Sequence, residues 1–103
     1  HRFSKPRVAR SSRAGRTIYM HFIYLLISSG IKPNTYVGYT NDLTKRLILH
    51  NLGKGAKYTR GRTWTLAYYE IFKSKSLALK KEFVLKKNNK LRKSIKENFL
   101  NNL

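Results

Sequence analysis

A chain of 103 residues with 41% hydrophobic content can build one modest core, not two. Its 23 Lys and Arg face only 4 Asp and Glu, a formal charge of +19, which self-repels in a compact state and suits work against a polyanion, nucleic acid first. The absence of cysteine excludes disulfide frameworks, thiolate metal sites and cysteine nucleophiles, and no run approaches the roughly 20 apolar residues of a membrane span.

Residues 1–17 carry Arg2, Lys5, Arg7, Arg10, Arg13 and Arg16, no acid and few apolar groups. Such a segment buries no face, so the expectation is an arm that is disordered alone and ordered by nucleic acid, each cation neutralising a phosphate. Arg-rich, Ser-containing, acid-free starts also resemble organelle-targeting remnants, and a start at His1 fits a processed or partial chain, so a mitochondrial setting is one expectation.

Residues 18–28 are dominated by β-formers and read as a central strand. The following loop holds Gly30, Pro33 and Asn34 and returns the chain as a hairpin, so a second strand from Thr35 to Tyr39 should run antiparallel to the first. Gly38 reads as a sharp turn, where the backbone can approach a substrate without a side chain in the way. A helix from Asp42 to Asn51, capped by Thr40 or Asn41 and stopped around Gly53, should face Leu43, Leu47 and Leu49 to the core. Its Arg46 and His50 stand four apart and so share one face.

The stretch 53–64 has three glycines and four cations and reads as a flexible loop in which Lys54, Lys57, Arg60 and Arg62 suit a phosphate backbone. A third strand spans Trp64–Phe72; Trp64, Tyr68 and Tyr69 read as strand packing in preference to base stacking. Ser74 or Ser76 opens a second helix to about Lys87, and Asn88 or Asn89 a third with Leu91, Ile95 and Phe99 at helical spacing. Glu82 borders the apolar stripe of the second helix among many lysines, so an ordinary salt bridge competes with a functional role for its carboxylate.

Ile23-Tyr24 followed twelve positions on by Tyr36-Val37-Gly38 resembles the signature of the GIY-YIG nuclease family, with Phe22 where the opening glycine often varies. The order Tyr24, Tyr36, Gly38, Arg46, His50, Glu82 follows the family's catalytic order, and Lys54–Thr59, KGAKYT, resembles small stand-alone bacterial members and the catalytic subunit of structure-selective resolvases. The resemblance covers about residues 20–90. It implies an α+β fold, a small three-stranded antiparallel sheet flanked by helices, over a domain of residues 18–103, with the arm outside it.

It further implies a metal-dependent endonuclease that hydrolyses phosphodiesters in DNA, selecting structure over sequence. Glu82 would ligate one divalent ion, Mg²⁺ or Mn²⁺, since hard ions take oxygen donors and keep waters. Arg46 would hold non-bridging phosphate oxygens. Tyr24 is the base the resemblance implicates, with His50 as an alternative base or proton relay and Tyr36 orienting water or phosphate. An alternative of another class is a structural nucleic-acid-binding subunit of a ribonucleoprotein, such as a ribosome or mitochondrial ribosome, on the same fold.

Overall fold

The structure is a computed structural model that describes residues 20–103. The expected arm, with Arg2, Lys5, Arg7, Arg10, Arg13 and Arg16, and the first residues of the expected opening strand lie outside the described residues.

Within them the order is β1 (His21–Ser28), β2 (Thr35–Thr40), α1 (Leu43–Asn51), β3 (Trp64–Phe72), α2 (Lys75–Lys87) and α3 (Asn89–Asn101), with a 3-10 turn at Lys57–Thr59. The sheet is antiparallel in the order β2-β1-β3. The three-stranded α+β architecture matches the expectation. β1 is central because its β-branched and aromatic residues can be buried on both faces, and Phe22 to Ser28 all are.

Side-chain alternation along β1 divides the core in two. Ile23, Leu25 and Ile27 pack with Val37, Ala67, Ala78 and Leu85 under α2 and α3. Phe22, Tyr24 and Leu26 pack with Leu43 and Trp64 on the α1 side. One residue of β3 is extra to the ladder: Leu25 pairs with Tyr68 and Leu26 with Leu66, a bulge that leaves Ala67 unmatched. Ala67 and Tyr68 therefore both join the α2 side of the core.

Helix ends follow capping chemistry, with one departure from expectation. Asp42, rather than Thr40 or Asn41, caps α1 by accepting the Lys45 N–H at 3.1 Å. Thr40 ends β2, and its hydroxyl accepts from the Asp42 N–H. At the other end Gly53 takes φ +80°, which only glycine adopts without strain, and returns its N–H to the His50 carbonyl. Ser74 caps α2 and Asn88 caps α3, as expected. Of the three residues placed at helical spacing on α3, Ile95 and Phe99 pack on the core while Leu91 is exposed.

The segment after α1 is a second departure. It is tied down and not free: Trp64 is buried, its indole N–H donates to the Thr59 carbonyl at 2.9 Å, and Asn51 clasps the Trp64 backbone by both amide atoms. Gly38 is a third. It lies inside β2 opposite Tyr24 and makes no turn.

Candidate active site

The reason for glycine at 38 is the ring across from it. Directly paired residues on neighbouring strands project to the same face, and the Tyr24 side chain lies over Gly38. A Cβ at position 38 would stand 2.4 Å from the phenol oxygen and 2.6 Å from Cζ. The absent side chain is the space that Tyr24 fills.

Tyr24 meets α1 there. Its Oη lies 2.9 Å from His50 Nε2, and both residues are fully enclosed. The other imidazole nitrogen, Nδ1, lies 2.9 Å from Thr59 Oγ1. That hydroxyl spends its only proton on the Ala56 carbonyl, 2.8 Å away, so it can only accept from the ring. Nδ1 therefore carries the proton, Nε2 offers its lone pair, and the Tyr24 hydroxyl donates to it. The donation runs one way, from Tyr24 through His50 and Thr59 to the Ala56 carbonyl. Gly55 closes this relay from above, since a Cβ there would fall 2.4 Å from His50 Nδ1.

Electrostatics agree with a neutral pair. Burial pushes the Tyr24 phenol up to about 12, with the Arg46 guanidinium beside it pulling the other way. Burial, and then the Arg46 charge, push His50 below its usual value. The unfolded chain thus binds a proton at this histidine that the folded chain refuses. Stability should be complete above about pH 6.5 and fall as pH drops below it, by up to about 1.4 kcal/mol per pH unit, until His50's own folded pKa is passed. Urea midpoints between pH 7.5 and 5.5 check this: the His50→Gln variant should lose the slope, and an equal slope in both proteins would assign it elsewhere.

Arg46 projects from the same face of α1, one turn before His50. Its Nε is buried and has no hydrogen-bond partner among the described residues, an unmet donor that an incoming anion could satisfy. Tyr36 completes the cluster, its ring 5.0 Å from that of His50 and 6.3 Å from that of Tyr24. Tyr24, Tyr36, Arg46 and His50 thus stand together, with Arg46 and His50 on the one face of α1 that their four-residue spacing implies.

Glu82 approaches from elsewhere. α2 packs against β1 and β2 on the sheet face opposite Tyr24, yet the carboxylate is close enough for its charge to raise the Tyr24 phenol further. It is largely covered, 17% exposed, and pairs with Lys86 at 3.4 Å. The salt bridge foreseen for it is present. Among the described residues no three His, Asp or Glu side chains converge on a metal position. Glu82 offers a single carboxylate, so water and a bound phosphate would have to supply the remaining oxygens of any hard divalent ion held there.

Lys54, Lys57, Arg60 and Arg62 are all exposed along the segment that carries Thr59. Thr59 and Gly55 are the site residues that sequence reasoning passed over. Their one signal was the KGAKYT stretch, whose lysines drew attention while its glycine and threonine did the packing.

Residues 20–96 match the GIY-YIG catalytic domain. The chain belongs to the GIY-YIG family. Its relatives include UPF0213 proteins of Streptococcus pyogenes serotypes M3, M1 and M4, each 49% identical over 65 residues, 62% of this chain and 71% of theirs. Those names carry no activity. No solved structure matches the chain significantly. GIY-YIG membership brings a nuclease-type function, nucleic acid as the material acted on and, for the family in general, use of a divalent metal. No helix among the described residues is long and apolar enough to cross a membrane.

Proposed function

We propose that this GIY-YIG protein is an endonuclease that hydrolyses phosphodiester bonds in DNA and selects substrates by backbone shape. The observation that carries the reading is the buried Tyr24–His50 hydrogen bond, oriented by Thr59, next to the unsatisfied Nε of Arg46. A proton acceptor and an anion-directed donor lie side by side, and hydrolysis of a phosphate ester needs both.

Arg46 receives a non-bridging oxygen and fixes the phosphorus beside the phenol. A water aligned for attack gives its proton to Tyr24 Oη as the phenol proton passes to His50 Nε2. Neither group then has to exist as an exposed ion beforehand. Protonated at Nε2, His50 keeps its Nδ1–H on Thr59, so the relay resets without ring rotation. Tyr36, partly exposed beside the pair, can orient the water or a phosphate oxygen by its hydroxyl. Glu82 is the residue to hold one Mg²⁺ or Mn²⁺, which when bound supplies charge neutralisation at the phosphate and the leaving oxygen. Nothing in the cluster reads base edges, and the exposed Lys54, Lys57, Arg60 and Arg62 are phosphate-directed, which supports recognition of shape over sequence.

The test is a panel of labelled duplex, flap, single-stranded and structured RNA substrates incubated with the purified protein and Mg²⁺ or Mn²⁺. Cleavage of DNA forms is expected with either ion and should stop on chelation. Equal cutting in excess chelator would remove the metal from the reading, and intact substrates throughout would remove the reading itself.

A further inference from the structure

Beyond the acid–base pair, one aromatic ring near the site keeps half of itself in water. Tyr58 lies in the 3-10 turn Lys57–Thr59, and 52% of it is exposed. Its backbone is nevertheless fixed, because Thr59 next to it is fully buried, bonded to His50 and Ala56, and holds the Trp64 indole through its carbonyl. The ring stacks on Tyr36 at 6.1 Å between centroids and 22° between planes, and leans on Trp64 at 6.2 Å. Tyr36 in turn stands 5.0 Å from the His50 ring. A rigid, flat, half-wet aromatic surface therefore begins one ring away from the Tyr24–His50 pair.

Cations surround it. The Arg62 guanidinium lies over the Tyr58 ring at 5.7 Å, and Lys57 and Arg60 flank it in sequence, all exposed. An aromatic face bordered by displaceable cations is the arrangement that takes a nucleotide, base on ring and phosphate on cation. A buried hydrophobic ligand would want the cations gone. A base within a duplex is already stacked on both sides, so only an unpaired one can use the platform.

We propose that Tyr58, backed by Tyr36 and flanked by Arg62, is a stacking site for an unpaired nucleobase of the DNA strand beside the phosphate held at Arg46. The inference rests on the cleavage reading for the position of that phosphate, and it names the substrate feature the site selects: a nucleotide released from its stack at a flap, a junction or a single-stranded end. Arg62 moves from the ring to the incoming backbone as the base arrives.

The experiment measures binding, not cutting. The full chain is titrated, without divalent ions, into a flap DNA carrying 2-aminopurine at the unpaired nucleotide next to the junction, and into the matching full duplex. With the parent protein the 2-aminopurine emission should be quenched in the flap and unchanged in the duplex. Tyr58→Leu keeps an apolar contact on Tyr36 but removes the flat ring; it should lose the quench and weaken flap binding about tenfold while duplex affinity stays within about twofold. Tyr58→Trp should restore both. Equal weakening on flap and duplex, or an unaltered quench in Tyr58→Leu, overturns the stacking site. A parent protein that quenches but never cuts would instead count against the cleavage reading and leave this one standing.

Discussion

Alanine at position 38 is expected to cut cleavage by about a hundredfold or more. The added methyl would sit 2.4 Å from the Tyr24 hydroxyl oxygen and 2.6 Å from the ring carbon bearing it, well inside contact distance. Tyr24 is 1% exposed and cannot swing away, so either β2 retreats or the phenol leaves His50 Nε2. Overpacking of this kind costs about 1–3 kcal/mol of stability. The loss in rate is a separate effect, because a reacting group displaced by about 1 Å can forfeit about a hundredfold even in a molecule that stays folded. Measuring both the urea midpoint and the single-turnover rate of Gly38→Ala separates the two effects. A folded variant cutting within twofold of the parent would show that the Tyr24 position does not matter.

Glu82→Gln should be more severe for chemistry and milder for the fold. The substitution keeps shape and removes the charge a divalent ion needs, so a fall of about a thousandfold in single-turnover rate is expected with Mg²⁺. The lost ion pair with Lys86 is a half-exposed i,i+4 contact worth about 0.3–0.5 kcal/mol, so melting should barely change. DNA affinity without metal should stay within a few fold, since the proposed site assigns the phosphate to Arg46 and the loop cations. If Glu82→Gln cleaves as fast as the parent, the carboxylate has no part in the reaction.

Much of this architecture was legible in the residues. The β-branched and aromatic runs of β1 and β3, the Ser74 cap of α2 and the four-residue spacing of Arg46 and His50 are local patterns, and local patterns survive folding. What escaped was decided across the chain. Thr40, Asn41 and Asp42 are all capping residues in a row, and only the geometry at the end of β2 shows which oxygen reaches Lys45 N. Gly38 looked like a turn because glycine usually answers a backbone need; here it answers the volume of a ring on the next strand. The 53–64 segment looked loose from its glycines and cations, because composition cannot show that Thr59 finds His50 nine residues back or that Trp64 pins Thr59. Glu82 was half legible: its helix face and its salt bridge followed from spacing, while its place on a helix packed against the sheet face opposite Tyr24 did not.

The clasp around Trp64 has an optical consequence. This is the chain's single tryptophan, buried with its N–H engaged by the backbone of the residue that orients His50, and Tyr58 leans on its ring. Its emission colour and intensity therefore report on one locality, the junction between the basic segment and the relay. Loosening of that junction would be visible as a red shift in unlabelled protein, with no dye attached and no turnover needed.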